Sequence, residues 1–482
     1  MKRTWRFYAA VWAGKLSGAL LKLLGRTGTT LPGAVAQRLD PACIAHLGAS
    51  LPEGVLLVTG TNGKTTTANL LANILRAAGK DFAFNQAGAN LVTGITGALL
   101  QDTGWSGRLR VPLALLEVDE ATVPKVCAQI TPRLAIITNF FRDQLDRYGE
   151  LDTTVRLVRN ALPRATALVL NADDPLVAQF GIGRSDKRAA DPSGVMHQGV
   201  IYYGVERIPE SSAVSGETRE ARFCPLCGAP LEYTLFHYGQ LGLFACPSCS
   251  FRRPLPHLQA QQVRMEEGKL YFRVGVNAYE VALQGYYNLY NALAAVAAAV
   301  QLDIDGEAIA RGLREFVPQA GRMERFLLLE GEVTLALVKN PTGFNQVIHT
   351  VLNGGAAGIR LLIAINDLAA DGRDVSWLWD VDFERLGAAA EAGEGRVDLV
   401  VCTGLRAEDM ALRLKYAGVP EDRLRIEHSA EKALALVSAG RGGREAVYVL
   451  PTYTMLFPLR TLLEAAAAHT GRGLSAEGRA SA

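Results

Sequence analysis

Short apolar runs and helix-like stretches alternate along the chain from residue 51 to residue 176. The apolar runs have the length of buried strands, and residues 68–77 have the apolar spacing of a helix. The strands are predicted at 55–58, 113–118, 134–138 and 167–170. Strands that alternate with helices in this way are typical of a parallel sheet with helical crossovers.

The same alternation begins again after residue 321. Strands are predicted at 334–338, 361–365, 399–402 and 446–450, and helices at 408–417 and 430–438. This pattern predicts a second, doubly wound and Rossmann-like domain, in which ligands bind at the carboxyl ends of the strands. The predicted fold class is therefore α/β in both parts of the chain.

Between about residues 180 and 280 the pattern is polar and irregular, apart from a strand candidate at 269–274. We interpret this stretch as an insertion into the first domain. An alanine-rich helix at 292–302 then completes that domain near residue 317. The predicted division is an N-terminal helical segment at 1–50, a central domain at 51–320 and a C-terminal domain at 321–482.

Residues 1–24 mix basic residues with large apolar ones such as Trp5 and Trp12. Lys15 and Lys22 interrupt the apolar stretch, which lacks a convincing cleavage site, so we predict an amphipathic helix and not a signal peptide. Such a helix either packs on its own protein, which we favour, or rests on a membrane surface. Because no apolar run approaches the roughly 20 residues that span a bilayer, we expect no transmembrane segment. We expect a cytoplasmic protein, and contact with the inner face of the membrane stays open.

Composition and charge narrow the class of protein. The 482 residues, 49% of them hydrophobic, supply material for about three domains. Fifty basic and 48 acidic residues give a formal net charge of +2. This balance argues against a nucleic-acid partner that is recognised through bulk charge.

A glycine-rich loop follows the first predicted strand and precedes the first predicted helix. It consists of Gly60, Thr61, Asn62, Gly63, Lys64, Thr65 and Thr66. In such a loop backbone N–H groups turn toward phosphates at a helix N-terminus, the lysine reaches the outer phosphates, and a threonine hydroxyl can bind Mg²⁺. The strict pattern has a glycine where this chain has Val58, and a chance glycine-rich turn is the alternative. The strand and helix on its two sides favour an ATP site.

Polar side chains follow the next two predicted strands. Glu117 and Asp119 follow one of them, and Asn139, Asp143 and Asp146 follow the other. A carboxylate at this position can bind Mg²⁺ directly or through water. Capping of a helix is the alternative for the last two.

The C-terminal part offers further polar residues. Arg322 lies at the predicted domain junction, where it either reaches the γ-phosphate of a nucleotide or forms a hinge salt bridge. Polar loops at 339–346 and 366–377 follow two predicted strands. We expect these strands to be adjacent in the sheet, which favours one site between the loops over two unrelated turns.

Four of the seven cysteines form two Cys-x-x-Cys pairs with 18 residues between them. This spacing is typical of a four-thiolate zinc ribbon, predicted here at about 222–253, and its closed coordination indicates a structural role. The alternatives are a disulfide pair and a ribbon that binds nucleic acid. The proposed ligands are Cys224, Cys227, Cys246 and Cys249. The isolated thiols, expected in the core, are Cys43, Cys127 and Cys402.

Together these motifs resemble those of the Mur ligases, from about residue 50 to the end. Members of that family join an amine to a carboxylate through an ATP-derived acyl phosphate. Besides the loop, the resemblance rests on Glu117, residues 139–146, residues 171–175, residues 288–291 and Gly321-Arg322.

Within the Mur ligases the chain is most similar to the synthetase subunits that amidate lipid II together with a glutaminase subunit. The four-cysteine insertion and residues 139–146, 339–341 and 371–377 carry this similarity. Because the predicted ATP loop comes so early in the chain, we expect it to lack the N-terminal domain by which other members hold a UDP-sugar, which fits a lipid-linked substrate. The resemblance implies that the α-carboxylate of D-glutamate in the lipid II stem peptide becomes D-isoglutamine.

The resemblance also implies roles for individual residues. Lys64, Mg²⁺ and Arg322 would stabilise the transferred phosphoryl group, and Asn288 and Asn291 would contact the adenine side of ATP. Thr65 and Glu117 would hold Mg²⁺, since Gln144 stands where many members have a metal-binding histidine.

Asp374 would complete a catalytic triad with a Cys-His pair of the glutaminase, and a turn or cap role is its alternative. None of the isolated cysteines lies in a Gly-x-Cys-x-Gly elbow, so ammonia must come from outside or from the partner. Two rival functions are a ligase that adds a free amino acid and a non-catalytic scaffold that binds ATP.

Overall fold

The computed structural model describes most of the chain. The described residues are 3–25, 28, 30–85, 89–143, 150–184, 199–214, 220–318, 320–329, 331–391, 396–440 and 445–469. Gln144 and Asp146 lie outside the described residues.

A nine-stranded sheet forms the centre of the first part. Its strands are β1 (Gly54–Thr59), β2 (Phe82–Phe84), β3 (Leu113–Glu117), β4 (Leu134–Ile137), β5 (Ala167–Asn171), β6 (Val200–Val205), β9 (Leu258–Glu266), β10 (Lys269–Val274) and β11 (Asn277–Val281). Their order is β11-β10-β9-β6-β5-β4-β1-β3-β2, and only the pairs β9–β10 and β10–β11 are antiparallel. The predicted parallel sheet is therefore confirmed.

Helices cover both faces of this sheet. They are α1 (Trp5–Leu23), α2 (Thr30–Leu39), α3 (Cys43–Gly48), α4 (Lys64–Ala77), α5 (Val92–Gln101), α6 (Val123–Cys127), α7 (Leu151–Ala161), α8 (Pro175–Ala178), α9 (Tyr287–Gln301) and α10 (Gly306–Arg314). In β1, Val55 and Leu57 belong to the core beneath α1–α3 and α5–α8, whereas Leu56 and Val58 belong to the core beneath α4, α9 and α10. Burial on both faces explains why the strand sequences are continuously apolar.

The helix predicted at 1–24 is α1, and it packs on the protein. Phe7, Ala10, Val11 and Gly14 are its buried residues, and they contact α2, α3 and α5. No helix among the described residues combines the length and the apolar character that crossing a bilayer requires.

The insertion predicted at about 180–280 is wrong in its extent. Strands β6, β9, β10 and β11 continue the main sheet, so a smaller segment, within 206–257, leaves it. That segment contains a hairpin of β7 (Glu232–Tyr238) and β8 (Leu241–Ala245) and all four paired cysteines. The strand predicted at 269–274 is β10, but the sequence did not show that it belongs to the main sheet, because β9–β11 form a sheet edge with polar residues on one side.

A second sheet of six strands forms the C-terminal part. Its strands are β12 (Arg322–Leu328), β13 (Gly331–Ala336), β14 (Gly358–Ala364), β15 (Arg396–Thr403), β16 (Leu424–Ile426) and β17 (Glu445–Pro451). The helices on its two faces are α11 (Pro341–Leu352), α12 (Glu384–Glu391), α13 (Ala407–Tyr416), α14 (Ala430–Ser438) and α15 (Tyr453–His469). The predicted doubly wound domain is present.

One detail of this sheet differs from the prediction. Its order is β12-β13-β17-β14-β15-β16, so β17 lies between the two strands that carry the polar loops. β17 is the last strand in the chain. It pairs in parallel with both β13 and β14 and therefore lies in the middle of the sheet. The expected adjacency was therefore wrong, and the residues that follow β17 lie between the two loops.

Candidate active site

The glycine-rich loop lies between β1 and α4, and two of its positions require glycine. Gly60 and Gly63 have φ angles of 121° and 84°, a region that disfavours other residues. A Cβ atom at Gly63 would lie 1.9 Å from Asn291 Oδ1, and one at Gly60 would lie 2.3 Å from Thr138 Oγ1. The loop backbone therefore packs too closely on its neighbours to carry side chains at these positions.

Residues after β4 fix the conformation of the loop. The backbone N–H groups of Thr61 and Asn62 donate to the backbone oxygen and to Oδ1 of Asn139, each at 2.9 Å. The N–H of Phe141 donates to Thr61 Oγ1 at 3.1 Å, and the Thr138 hydroxyl donates to the Asn62 oxygen at 2.8 Å. The polar end of β4 thus holds the loop in place.

Lys64 is buried beneath the loop as the first residue of α4. Its Nζ donates to the Gly60 oxygen at 2.5 Å and to Glu120 Oε2 at 2.9 Å. Burial lowers the pKa of Lys64, but the carboxylates of Glu120, Asp119 and Glu117 outweigh that effect and raise the pKa above its ordinary value. Lys64 is therefore held as a cation where phosphates would approach the loop.

Two residues predicted to hold Mg²⁺ contact each other. Thr65 Oγ1 donates to Glu117 Oε1 at 3.2 Å, and Asn90 Nδ2 donates to the same oxygen at 3.4 Å. Hydroxyl and carboxylate oxygens are the ligands that Mg²⁺ prefers. Three buried carboxylates, those of Glu117, Asp119 and Glu120, surround one lysine, and this excess of negative charge favours a divalent cation. The residues at this position fit Mg²⁺.

A cavity of about 500 Å³ opens above the loop, between the two sheets. The central part supplies the loop, the carboxylates and Tyr287, and the C-terminal part supplies residues that follow β13, β14 and β17. The C-terminal lining includes Lys339, Thr342, Gly343, Gln346, Ala369, Ala370, Asp371, Thr452 and Tyr453. The carboxyl ends of strands from both sheets therefore face one common site.

Direct contacts join the two parts beside this cavity. The side-chain amides of Asn62 and Asn340 exchange hydrogen bonds of 2.9 and 3.3 Å. Lys339 Nζ lies 2.9 Å from Asp143 Oδ2, while the buried Asp143 Oδ1 has no hydrogen-bond partner among the described residues. Asp143 therefore pairs with the opposite domain.

Arg322 and Asn291 line the cavity, whereas Asn288 lies behind it. Asn291 Nδ2 donates to Asn288 Oδ1 at 2.9 Å, so Asn288 orients Asn291. Arg322 forms no ion pair within the described part of the chain. The ion pair near this junction is instead Glu324 with Arg460, whose oxygen and nitrogen lie 2.9 Å apart.

Asp374 lies outside the cavity lining. Its Oδ1 accepts a hydrogen bond of 2.8 Å from the backbone N–H of Ser376, at the start of a short 3-10 helix, Ser376–Asp380. Hydrogen bonds from Ser376 lower the pKa of Asp374. The carboxylate is thus an anion at the surface that also shapes a turn, and it takes no part in the cavity.

The four paired cysteines converge at the β7–β8 hairpin. Their sulfur atoms all lie within 4.8 Å of one another, and the shortest Sγ–Sγ separations are 3.4 Å for Cys227 with Cys246 and 3.6 Å for Cys224 with Cys249. Four sulfurs at about 2.3 Å from a tetrahedral zinc lie about 3.8 Å apart. The observed Sγ–Sγ separations are close to those of a four-sulfur zinc site and are too long for disulfide bonds. Backbone N–H groups at 226, 248 and 251 donate to three of the sulfurs, as expected for thiolates.

The sequence did not identify several residues of the site. Glu120 was not predicted, although it comes directly after Asp119, because its role depends on a contact with Lys64 that is 56 residues away in the chain. Asn90, Tyr287 and Tyr453 carry no motif at all. They reach the cavity only through tertiary packing, which one sequence does not reveal.

Comparison with known proteins assigns the chain to a family. Residues 337–456 match the model of the MurT ligase C-terminal domain, and residues 58–190 match that of the Mur ligase middle domain. Over 458 residues the chain is 34% identical to a Staphylococcus aureus (strain COL) protein, covering 94% of this chain and 97% of that protein. The relative is the subunit MurT of lipid II isoglutaminyl synthase (glutamine-hydrolyzing). The chain belongs to the MurT family.

Other relatives agree with this assignment. The MurT subunit of Streptococcus pneumoniae (strain ATCC BAA-255 / R6) is 33% identical over 455 residues, covering 94% of this chain and 95% of that protein. Among solved structures, a pseudomurein peptide ligase type C from Methanothermus fervidus has a TM-score of 0.64 at 23% identity, covering 88% of this chain and 80% of that one. This MurT-family chain therefore has the fold of the Mur ligases.

Proposed function

We propose that the chain is the synthetase subunit of an enzyme that amidates the α-carboxylate of D-glutamate in the lipid II stem peptide to D-isoglutamine. The reaction would use ATP, pass through an acyl phosphate and take ammonia from a glutaminase subunit of the GatD type. The observation that carries the proposal is the common cavity, where the Lys64 loop faces Lys339 and Arg322. The printed names of the MurT relatives support it.

The first proposed step activates the carboxylate. An oxygen of the substrate carboxylate attacks the γ-phosphorus of ATP, and the bond from that phosphorus to the bridging oxygen breaks to release ADP. Lys64, Arg322 and Lys339 would stabilise the charge on the phosphoryl oxygens, and Asn288 and Asn291 would position the adenine side. Mg²⁺ held by Thr65 and Glu117 would offset phosphate charge.

The second step forms the amide. Ammonia attacks the acyl carbon, and phosphate leaves with one of the two original carboxylate oxygens. The proton that the nitrogen loses passes to a base or to solvent. The contacts between Asn62 and Asn340 and between Asp143 and Lys339 would hold the domains closed, so that the acyl phosphate meets ammonia before water.

The remaining parts of the proposal concern architecture. We assign residues 51–320 to the ATP-binding domain, residues 321–482 to the C-terminal ligase domain and residues 1–50 to an N-terminal helical segment. The four-cysteine cluster would bind one structural zinc, because all four positions are filled by thiolates and none is open to water. Asp374, half-buried and outside the cavity lining, would orient a histidine of the glutaminase.

The test separates this function from its two rivals. Purified chain is incubated with ATP, Mg²⁺ and lipid II, and ADP release is measured with ammonium chloride or with each of a panel of free amino acids. We expect ADP and amidated lipid II with ammonium, detected by mass spectrometry. ADP release that depends on an amino acid would favour an ordinary ligase, and no ADP release under any condition would favour a scaffold.

A further inference from the structure

Helix α1 has two apolar sides, and only one of them is buried. Phe7, Ala10, Val11 and Gly14 pack against the protein. On the opposite side large apolar side chains face solvent. They are Trp5, Trp12, Leu16, Leu20 and Leu23, with exposed fractions of 78%, 52%, 60%, 57% and 85%.

These exposed side chains form one continuous stripe. At 3.6 residues per turn, residues 18 apart point in the same direction, so Leu23 lies in line with Trp5, and the other three fall close to that line. The stripe runs for about 27 Å along the helix at 1.5 Å per residue. Trp105 extends it sideways, because the Trp12 indole N–H donates to the Trp105 oxygen at 2.9 Å and the Trp105 ring is itself 55% exposed.

The charge around the stripe has one sign. Residues 1–39 contain seven lysines and arginines and no aspartate or glutamate. Among the described residues, Lys22 lies along one side of the stripe and Arg6 lies on the other. Lys15 lies on the same side as Lys22, but its Nζ donates to the backbone oxygens of Leu100 and Thr103, and Arg6 Nε donates to the Leu39 oxygen. On the elements packed against α1, Asp40 is buried after α2, and Asp102 is half-buried beside Lys15.

We propose that this face of α1 binds the surface of an anionic lipid bilayer, with the helix lying in the plane of the interface. Exposed apolar side chains flanked by basic residues are the pattern by which helices insert shallowly among lipid headgroups. Tryptophan is favoured at that depth, and the basic residues are attracted to anionic headgroups. A protein partner that bound the apolar stripe would not require the basic residues around it to be free of acidic ones, whereas an anionic bilayer favours that pattern.

Helix α1 packs on α5, and Asn90, just before α5, lines the cavity. A membrane-bound α1 would therefore hold the domain that carries the Lys64 loop at the bilayer surface. Binding to lipid requires neither ATP nor substrate, so its failure would leave the proposed reaction untouched.

The experiment is cosedimentation of the full chain with vesicles. One set contains phosphatidylcholine with a third phosphatidylglycerol, and the other contains phosphatidylcholine alone. We expect binding to the anionic vesicles that weakens with added salt, together with a blue shift of tryptophan fluorescence. We expect the triple variant Leu16→Gln, Leu20→Gln, Leu23→Gln to bind more than about tenfold more weakly.

A matched control uses equally exposed apolar residues elsewhere. The triple variant Leu255→Gln, Val276→Gln, Leu329→Gln replaces side chains that are 85%, 87% and 82% exposed, and Val276 lies at the opposite edge of the first sheet. This control variant should bind anionic vesicles with the same affinity as the unaltered chain. All replaced residues are exposed, so thermal unfolding should confirm that both variants fold.

Three outcomes would overturn the proposal. The first is no binding of the unaltered chain to anionic vesicles at low salt, and the second is equal binding by the α1 variant. The third is an α1 variant that keeps vesicle binding but loses self-association or association with the glutaminase subunit. That result would make the stripe a contact with a second copy or with a protein partner.

Discussion

At the scale of the residue, Lys64 supplies the positive charge with which the glycine-rich loop would bind phosphate. The side chain is buried among three carboxylates and is bonded to Glu120 and to the loop itself. Such a cation cannot leave its site freely, yet it lies where the outer phosphates of a nucleotide would be bound. Glu120 therefore positions Lys64, and removing either partner leaves a buried charge without its counterion.

We predict that Lys64→Ala lowers the rate of phosphate release by about 10²-fold or more, because a preorganised charge on the phosphoryl group is lost. Phosphate release is measured at saturating ATP. Since the single variant leaves Glu120 unpaired, the double variant Lys64→Met, Glu120→Gln serves as a control for folding. Normal turnover in either variant would contradict the assignment of the loop.

Glu117 and Glu120 lie three residues apart and should differ in effect. Glu117 contacts Thr65, whereas Glu120 contacts Lys64. We predict that Glu117→Gln raises the Mg²⁺ concentration for half-maximal activity by about tenfold or more, because a metal ligand is weakened. Glu120→Gln should lower kcat and leave the Mg²⁺ requirement nearly unchanged. A Mg²⁺ titration in which the two variants respond alike would refute this division.

At the scale of the element, the cysteine hairpin packs on the rest of the molecule through a buried polar network. Gln240 Nε2 donates to the Phe140 oxygen at 2.5 Å, and Arg253 Nε donates to Asp173 Oδ1 at 2.6 Å. Cys224 and Cys246 are part of the core that includes Phe140. The hairpin therefore supports the segment that holds the phosphate loop.

We predict one zinc per chain, bound by Cys224, Cys227, Cys246 and Cys249. Replacing all four with serine should abolish zinc in elemental analysis and lower Tm by several degrees, because zinc ligation drives folding of such modules. Cys127→Ser is the matched control, since this thiol is isolated and partly exposed. Unchanged zinc content, or a Tm unaffected by the four replacements, would count against the site.

The sequence was sufficient for elements whose patterns are local. Strands β1, β3, β4 and β5 are continuous apolar runs, because both faces of each are buried, and the loop and the cysteine pairs are local motifs. The place of β17 between β13 and β14 was not predictable, since strand order depends on packing between distant segments. Tyr453 was not predicted for the same reason, since it reaches the cavity only because β17 lies in the centre of the sheet.

At the scale of the whole molecule, the two sheets present their carboxyl ends to one cavity. Lys339 with Asp143 and Arg142 with Asp380 pair across this boundary. The second pair is partly exposed, and such pairs contribute little stability on their own, about 0–1 kcal/mol. The Lys339–Asp143 pair, whose carboxylate is buried, is therefore the more significant of these two contacts.

The next prediction concerns Asp374, which lies outside the cavity, and its proposed contact with the partner subunit. Asp374→Asn keeps the size of the side chain but removes the charge that would stabilise a histidine of the glutaminase. We predict a large loss of glutamine-driven amidation, of about 10²-fold or more, with ammonium-driven amidation nearly unchanged. Equal loss with both nitrogen sources would place Asp374 in the synthetase site. No loss with either would leave it the turn residue that its bond to Ser376 indicates.

In the proposed reaction the chain converts a carboxylate into an acyl phosphate. The most direct measurement uses lipid II whose D-glutamate α-carboxylate carries ¹⁸O in both oxygens, with ATP, Mg²⁺ and ammonium, and Lys64→Ala as the inactive control. We predict that each amide formed is accompanied by one inorganic phosphate that contains one ¹⁸O atom, detected by mass spectrometry. Amide formation with unlabelled phosphate would contradict the account.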